Sequence, residues 1–261
     1  MNIVVSIKQV PNTTEVKINK ETNTLVREGV QSIINPFDTY AIEEGVRLKE
    51  RFGGKVTVIT MGPPQAEAAL KESIELGADE GILISDRAFA GSDTLSTSYV
   101  LSKAIAKIGE FDLVITGKQT MDGDTGQVGP GIAERLGVPF VAYVSKVEEI
   151  KNGTMRAARM IDEGHERVEA PLPCVMSVAK EINVPRIPSL RGKMKAKSAK
   201  IPVWSARDIG AEESRVGVAG SPTWVAQIFS PKRERKSEML DGTSQDKVAR
   251  LCEKLGEMKV I

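Results

Sequence analysis

Short runs of β-branched and other apolar residues recur along the chain, each followed by a longer stretch whose apolar residues return at helical spacing. Ile3-Val4-Val5-Ser6-Ile7, Lys55 to Thr60, Gly81 to Ser85, Leu113 to Thr116 and Pro139 to Val144 have the continuous apolar character of buried parallel strands. Between them lie helical patterns: Ala41, Ile42, Val46 and Leu48; a stretch from Met61-Gly62-Pro63-Pro64 to Leu76-Gly77; Val100, Leu101, Ile105 and Ile108; and Ile132, Ala133 and Leu136. The punctuation agrees with this pattern. Asn35-Pro36-Phe37-Asp38 predicts a helix start, with Asn as N-cap, Pro at the first position and Asp favouring the positive end, and Gly53-Gly54 predicts its end. Ser92-Asp93 caps the third helix, and Gly137 is a C-cap glycine. Such alternation predicts an α/β fold: a doubly wound, mainly parallel sheet with flanking helices, a Rossmann-like nucleotide-binding domain.

Other stretches depart from this rhythm. Val16-Lys17-Ile18 and Leu25-Val26-Arg27 read as an irregular hairpin, Glu148 to Met160 as a hairpin turning at Asn152-Gly153, and Pro171 to Val178 as a further strand. From Asn183 the character changes. Pro185, Pro188 and Pro202 interrupt regular structure, and Arg186, Arg191, Lys193, Lys195, Lys197 and Lys200 make the segment basic, as a solvated loop would be. Val203 to Ile261 has weak periodicity and one convincing helix, Ser244 to Lys259. Such an arm cannot bury a core of its own, so Trp204, Trp224 and Ile228 are expected to pack on another surface, of this chain or of a partner. The expected organisation is an α/β domain over 1–184, a loop over 185–200 and an extended C-terminal arm over 201–261. No internal repeat is visible.

Composition narrows the function classes. With 261 residues, 41% hydrophobic, the chain is long enough for one large domain with an extension. Lys plus Arg is 36 and Asp plus Glu 35, so net charge draws it neither to nucleic acid nor to a membrane surface, and aromatics at 4% argue against base-stacking platforms. Cys174, Cys252 and the single His165 are too few for a thiolate or imidazole metal site. No apolar stretch approaches the roughly 18 residues of a membrane span, and MNIVVSIKQVP carries no charged leader. A soluble, cytoplasmic protein of a reducing compartment is expected.

Phe111 to Gly137, FDLVITGKQTMDGDTGQVGPGIAERLG, is where chemistry can sit. In a doubly wound sheet, ligands bind beyond the strand C-termini where strand order reverses. Ser6, Met61 and the 117–128 turn are the loop ends expected there. Pro130 is tolerated only in a first helical turn, which places the helix start at about Thr125 or Gly126. The N–H groups of Gly126, Gln127 and Val128 would then be free for an anion, and Gly126, lacking a side chain, would let a phosphate approach closely. The plainer alternative is a strand–turn–helix with a polar loop. The stretch matches neither the GxGxxG nor the P-loop pattern.

GKQTMDGDTGQVGP also resembles the nucleotide loop of the β subunits of electron transfer flavoproteins. Arg159 to Ser177, RMIDEGHERVEAPLPCVMS, resembles that family's signature through a basic residue, Asp162-Glu163-Gly164, Glu166, Val168 and Pro173 before an apolar pair. The resemblance runs from Asn2 to about Ala199. It implies a nucleotide site built from Ser6; Asn35, Pro36, Phe37 and Asp38; the turn at Met61; and Gly117, Lys118, Gln119, Thr120, Met121, Asp122, Gly123, Asp124, Thr125, Gly126, Gln127 and Val128. In that reading Asp122 and Asp124 accept from ribose hydroxyls and residues 126–128 hold phosphate. For Asp38 a simple helix-start acid, and for Met61 core packing, remain the alternatives. The family contains one type whose β subunit holds AMP structurally. In a second type, linked to anaerobic metabolism and nitrogen fixation, it holds FAD that takes hydride from NADH. That FAD sends electrons separately to ferredoxin or flavodoxin and to the α-subunit FAD. GDTGQVGP resembles the second type, the first having asparagine where Gly126 stands and threonine where Val128 stands. Residues after Pro185 resemble the loop that docks on acyl-CoA dehydrogenases, with Leu190 as apolar anchor beside Arg191 and Lys193. The C-terminal arm is implied to embrace the α subunit. A structural AMP-holding subunit and a non-redox adenine-nucleotide-binding α/β protein are the competing readings.

Overall fold

The computed structural model describes residues 1–12, 18–19, 24–25, 32–226 and 237–261. It divides into two units, Met1–Ala226 and Gln227–Ile261. The first strands are β1 (Asn2–Ile7), β2 (Gln9–Pro11), β3 (Ile18–Asn19), β4 (Thr24–Leu25), β5 (Ser32–Ile34), β6 (Lys55–Met61), β7 (Glu80–Ile84) and β8 (Leu113–Gly117). They are followed by β9 (Phe140–Lys151), β10 (Thr154–Ile161), β11 (Gly164–Pro171), β12 (Cys174–Val178) and β13 (Val203–Trp204). The helices are α1 (Pro36–Phe52), α2 (Glu67–Glu75), α3 (Thr94–Ile108), α4 (Val128–Leu136), α5 (Leu190–Ser198) and α6 (Ser244–Glu257).

Nine strands form one sheet in the order β11-β10-β9-β12-β8-β1-β6-β7-β13. All neighbours are parallel except β9-β10-β11, which run antiparallel. From β1 the chain winds outward through β6 and β7; after α3 it resumes at β8, on the other side of β1. The winding therefore reverses between β1 and β8, where Ser6 pairs with Thr116. Alternating residues of one strand serve two helix layers. Ile3, Val5, Leu113 and Ile115 belong to the apolar cluster that also takes in residues of α1, α2 and α5, whereas Val4, Ile59 and Val114 belong to the one shared with α3 and α4. The α/β class and the doubly wound order agree with the sequence pattern.

Several local expectations need correction. Helix α4 begins at Val128, two to three residues later than Pro130 suggests. Gly126 has φ 62°, which a right-handed helix cannot use, and the first turn makes no use of the N–H that proline lacks, so Pro130 fits at its third position. The fifth strand does not end at Val144 but runs on as β9 to Lys151, and β11, absent from the sequence reading, completes a three-stranded antiparallel extension. Its Asn152-Gly153 turn has φ 51° and 72°, both positive as a tight hairpin requires. The basic segment is not irregular throughout. Ser189 accepts from the Gly192 N–H and starts α5, whose Gly192 lies so close to α2 that a Cβ would sit 2.2 Å from the Glu75 carbonyl oxygen. Trp204 packs on this chain, in β13 beside the α3 layer, with the Lys107 ammonium 4.7 Å from its ring centre. Trp224 is exposed. Most of the irregular hairpin, and Ile228, lie outside the described residues; β3 and β4 do pair antiparallel.

In the second unit, α6 opens with a capping box in which Thr243 and Asp246 satisfy each other's backbone N–H. None of its residues is buried. No described helix is long and apolar enough to cross a membrane.

Candidate functional site

The reversal of strand order brings together the end of β1, the start of α1 and the loop after β8, and three residues lock them. Gly117 leaves no room for a side chain: a Cβ there would lie 2.3 Å from Asp38 Oδ1 and 2.8 Å from the Phe37 carbonyl carbon. The Asp38 carboxylate, 4% exposed, accepts from the Lys8 N–H at 2.7 Å and from the Gly117 N–H. Burial pushes its pKa up to about 7, with the Asn35 side chain and those N–H donors only partly offsetting the cost of desolvating the charge. Asn35 is fully buried and occupies the N-cap position, but its side chain does not cap α1. Its amide instead donates to the Gln119 carbonyl at 2.9 Å and accepts from the Met121 N–H at 3.0 Å, satisfying loop backbone that has no ladder to join.

Beyond Gly117 the loop stands outward. Met121 to Thr125 and Gln127 are exposed, while Lys118, Gln119, Thr120 and Gly126 are half-buried. Its two carboxylates already hold partners. Asp122 meets the Lys8 ammonium at 2.7 Å. Partial burial raises the Asp122 carboxyl, but Lys8 and the Thr120 hydroxyl more than offset this, so it lies below the usual carboxylate range. Asp124, at φ 54°, accepts from the Gln119 amide. The loop then turns at Gly126 into α4, whose first-turn N–H groups at Val128 and Gly129 have no intrahelical acceptor. Directly behind that turn, the buried Thr116 hydroxyl has no hydrogen-bond partner among the described residues, and its oxygen lies 3.0 Å from where a Gly129 Cβ would be.

Ser6, Asn35, Pro36, Phe37, Asp38 and residues 117–128 therefore gather at the C-terminal ends of the central strands. Met61, last residue of β6, lies at the same end of the sheet, half-buried against the α3–α4 core. Leu190, Arg191 and Lys193 are not part of this set. They are exposed on α5, over α2. The segment leading to them is pinned by Arg186, which bonds Glu43 at 2.8 Å and Glu50 at 2.7 Å on α1. Clefts of about 600 Å³ beside Arg156 and Arg167, and about 400 Å³ beside Arg135 and Arg215, are lined by none of residues 117–128.

Two residues of the loop's surroundings escape the sequence reading. Thr116 looks like any strand threonine until the first turn of α4 is set against it. Tyr143 looks like a strand aromatic, but has φ 56° and turns its hydroxyl toward Gly126. An aromatic residue in an otherwise apolar strand beside the glycine turn was the only available signal.

Residues 22–209 match the electron transfer flavoprotein domain. The chain is 48% identical, over the full length of both, to the electron transfer flavoprotein subunit beta of Thermoanaerobacterium thermosaccharolyticum. It is 45% identical, again over the full length of both, to the caffeyl-CoA reductase-Etf complex subunit CarD of Acetobacterium woodii. Protein FixA of Azotobacter vinelandii is 45% identical over 94% of this chain and 90% of its own. The chain belongs to the electron transfer flavoprotein β-subunit family. Membership implies flavin-related electron transfer in company with an α subunit.

A nucleotide phosphate fits the residues at the β1–β8 reversal. Two free N–H groups head α4, the side-chain-free Gly126 precedes them, and the Thr116 hydroxyl behind the turn lacks an acceptor.

Proposed function

We propose that this chain binds FAD at the β1–β8 reversal and serves as the entry point for electrons from NADH. The observation that carries the reading is Gly126, at φ 62° immediately before the N-cap of α4. Asparagine or any other side chain there would crowd a phosphate at the helix end, whereas glycine leaves room for the second phosphate of a dinucleotide. When bound, the flavin would take a hydride from NADH and pass its two electrons separately, one to a ferredoxin or flavodoxin and one to the α-subunit FAD. The protein's own residues do the holding. Val128 and Gly129 offer N–H groups and the helix dipole to phosphate. Asp38 and Asn35 fix the loop that carries Gly117 to Asp124. Asp122 and Asp124 would exchange Lys8 and Gln119 for ribose hydroxyls.

The exposed Leu190 and its basic flanks on α5 are the surface proposed to meet an acyl-CoA dehydrogenase. A relative named as part of a caffeyl-CoA reductase complex supports a partner of that class. The organisation we favour keeps residues 1–184 as the nucleotide domain, 185–200 as the recognition segment and 201–261 as the arm toward the α subunit. The second reading, AMP held as a structural element, uses the same helix end and loop.

Denaturing the purified αβ complex and counting flavin distinguishes the two. Two flavins per αβ pair, with NADH oxidation that requires both acceptors, is the expected result. One flavin plus AMP, without NADH oxidation, would assign the chain to the structural type.

A further inference from the structure

Tyr143 is built in a way that a plain strand residue is not. Between Met176 and Val178 of β12, the paired strand β9 advances from Val141 to Val144, so β9 carries one extra residue and bulges at Ala142-Tyr143. Tyr143 sits in that bulge at φ 56°, a left-handed conformation unfavourable for a bulky side chain. The distortion is held: the Tyr143 N–H donates to the buried Ser177 hydroxyl at 3.0 Å. Bulges of this kind re-aim a side chain, and they gather next to active sites.

The side chain is re-aimed at the nucleotide loop. The phenol oxygen lies 3.8 Å from where a Gly126 Cβ would be, and the Lys118 ammonium lies 5.0 Å from the ring centre. The residue is 38% exposed, and its hydroxyl makes no hydrogen bond to another described residue. A hydroxyl that no described residue engages thus stands over Gly126, one residue before the N-cap of α4. The unpartnered Thr116 hydroxyl lies on the inner side of the same helix turn. Two hydroxyls without a partner among the described residues, one buried and one facing solvent, flank one helix end.

We propose that Tyr143 is a specificity-determining residue of the nucleotide site, its hydroxyl donating to a phosphate oxygen beyond the group held at the α4 N-terminus. It thereby favours a pyrophosphate over a single phosphate. The inference rests on the nucleotide reading given above and assigns a role within it. A hydroxyl-to-phosphate bond is charge-assisted, so its loss is large enough to measure.

The test is titration of the nucleotide-stripped αβ complex with AMP and with ADP, for the wild type and for Tyr143→Phe. The variant keeps the ring, the Lys118 contact and the bulge, and removes only the hydroxyl. The ratio of ADP to AMP affinity is expected to fall about tenfold. A ratio unchanged in Tyr143→Phe overturns the role of the hydroxyl while leaving the nucleotide site standing. A wild-type complex that binds neither nucleotide overturns the site, and the tyrosine's role with it.

Discussion

Asp38 shows how one residue can tie a site together and make stability depend on pH. Its carboxyl is raised from the ordinary 3.8 to about 7 because burial disfavours the charge. Between those values the folded chain holds a proton that the unfolded chain has lost. The associated stability is complete below about 3.8, declines as pH rises, and is gone above about 7. A displacement of that size corresponds to on the order of 4 kcal/mol across the window. Asp38→Asn has no such proton to lose, so its melting temperature should fall less than the wild type's between pH 4 and 7, as read by thermal unfolding in a pH series. A parallel decline in both proteins would remove Asp38 as the source. At this scale the sequence is legible in part. Asn35 and Asp38 are marked as helix-start residues by Pro36 between them, yet their work is done on Lys8, Gly117, Gln119 and Met121, which only the folded sheet brings near. The bulge that turns Tyr143 leaves no local trace, because the chain geometry at 143 is imposed by its pairing with Ser177.

The helices show where local rules suffice and where they fail. Ser92-Asp93 predicts the start of α3, and Asp93 does accept from the N–H groups of Leu95 and Ser96, because an N-cap is a short-range affair. Pro130 predicts α4 less well, since proline is compatible with every position of the first turn and cannot say which one. The basic run before Lys200 reads as solvated coil because its charges mask Ser189, Ala196 and the good helix formers between them, and because the backbone contact of Gly192 with α2 is tertiary. Once folded, α5 presents Leu190, 77% exposed, and Met194, 68% exposed, one turn apart, with Ile187 just before them. Exposed Val184 and Ile187 precede them in the chain, so apolar side chains recur along this segment. Leu190→Ala is therefore expected to weaken electron delivery to an acyl-CoA dehydrogenase by about 1–3 kcal/mol in apparent affinity. Nucleotide content should be unchanged, since α5 lies on α2 and not on the loop. Steady-state reduction of the dehydrogenase by the αβ complex reads the first quantity and the absorbance of the purified complex the second; equal kinetics for both proteins would return α5 to ordinary surface.

The molecule as a whole is a self-sufficient α/β unit followed by a unit that is not. Met1–Ala226 has two apolar clusters enclosing a sheet, whereas the described part of Gln227–Ile261 buries no residue at all. A lone helix of this length is marginal in water, even with the good capping box of α6. Its apolar residues are not scattered. Val248, Leu251, Cys252 and Leu255 recur three and four residues apart on one face, and exposed Met258, Val260 and Ile261 follow. Family membership implies an α-subunit partner, and the cover proposed for this face is that subunit. The stripe is legible in sequence because helical periodicity is local, while its cover is not, because no local pattern names the surface that meets it. Leu251→Asp places a charge in the middle of the stripe and should weaken αβ association by about 2 kcal/mol or more, roughly thirtyfold in dissociation constant. Glu253→Ala, off the apolar face, should change association little. The main melting transition of the β chain alone should be the same in both variants, since none of the α6 residues is buried. Sedimentation of mixtures at a series of concentrations measures the association. Wild-type binding by Leu251→Asp would mean that the α subunit grips the β subunit elsewhere and that the stripe on α6 is not its contact.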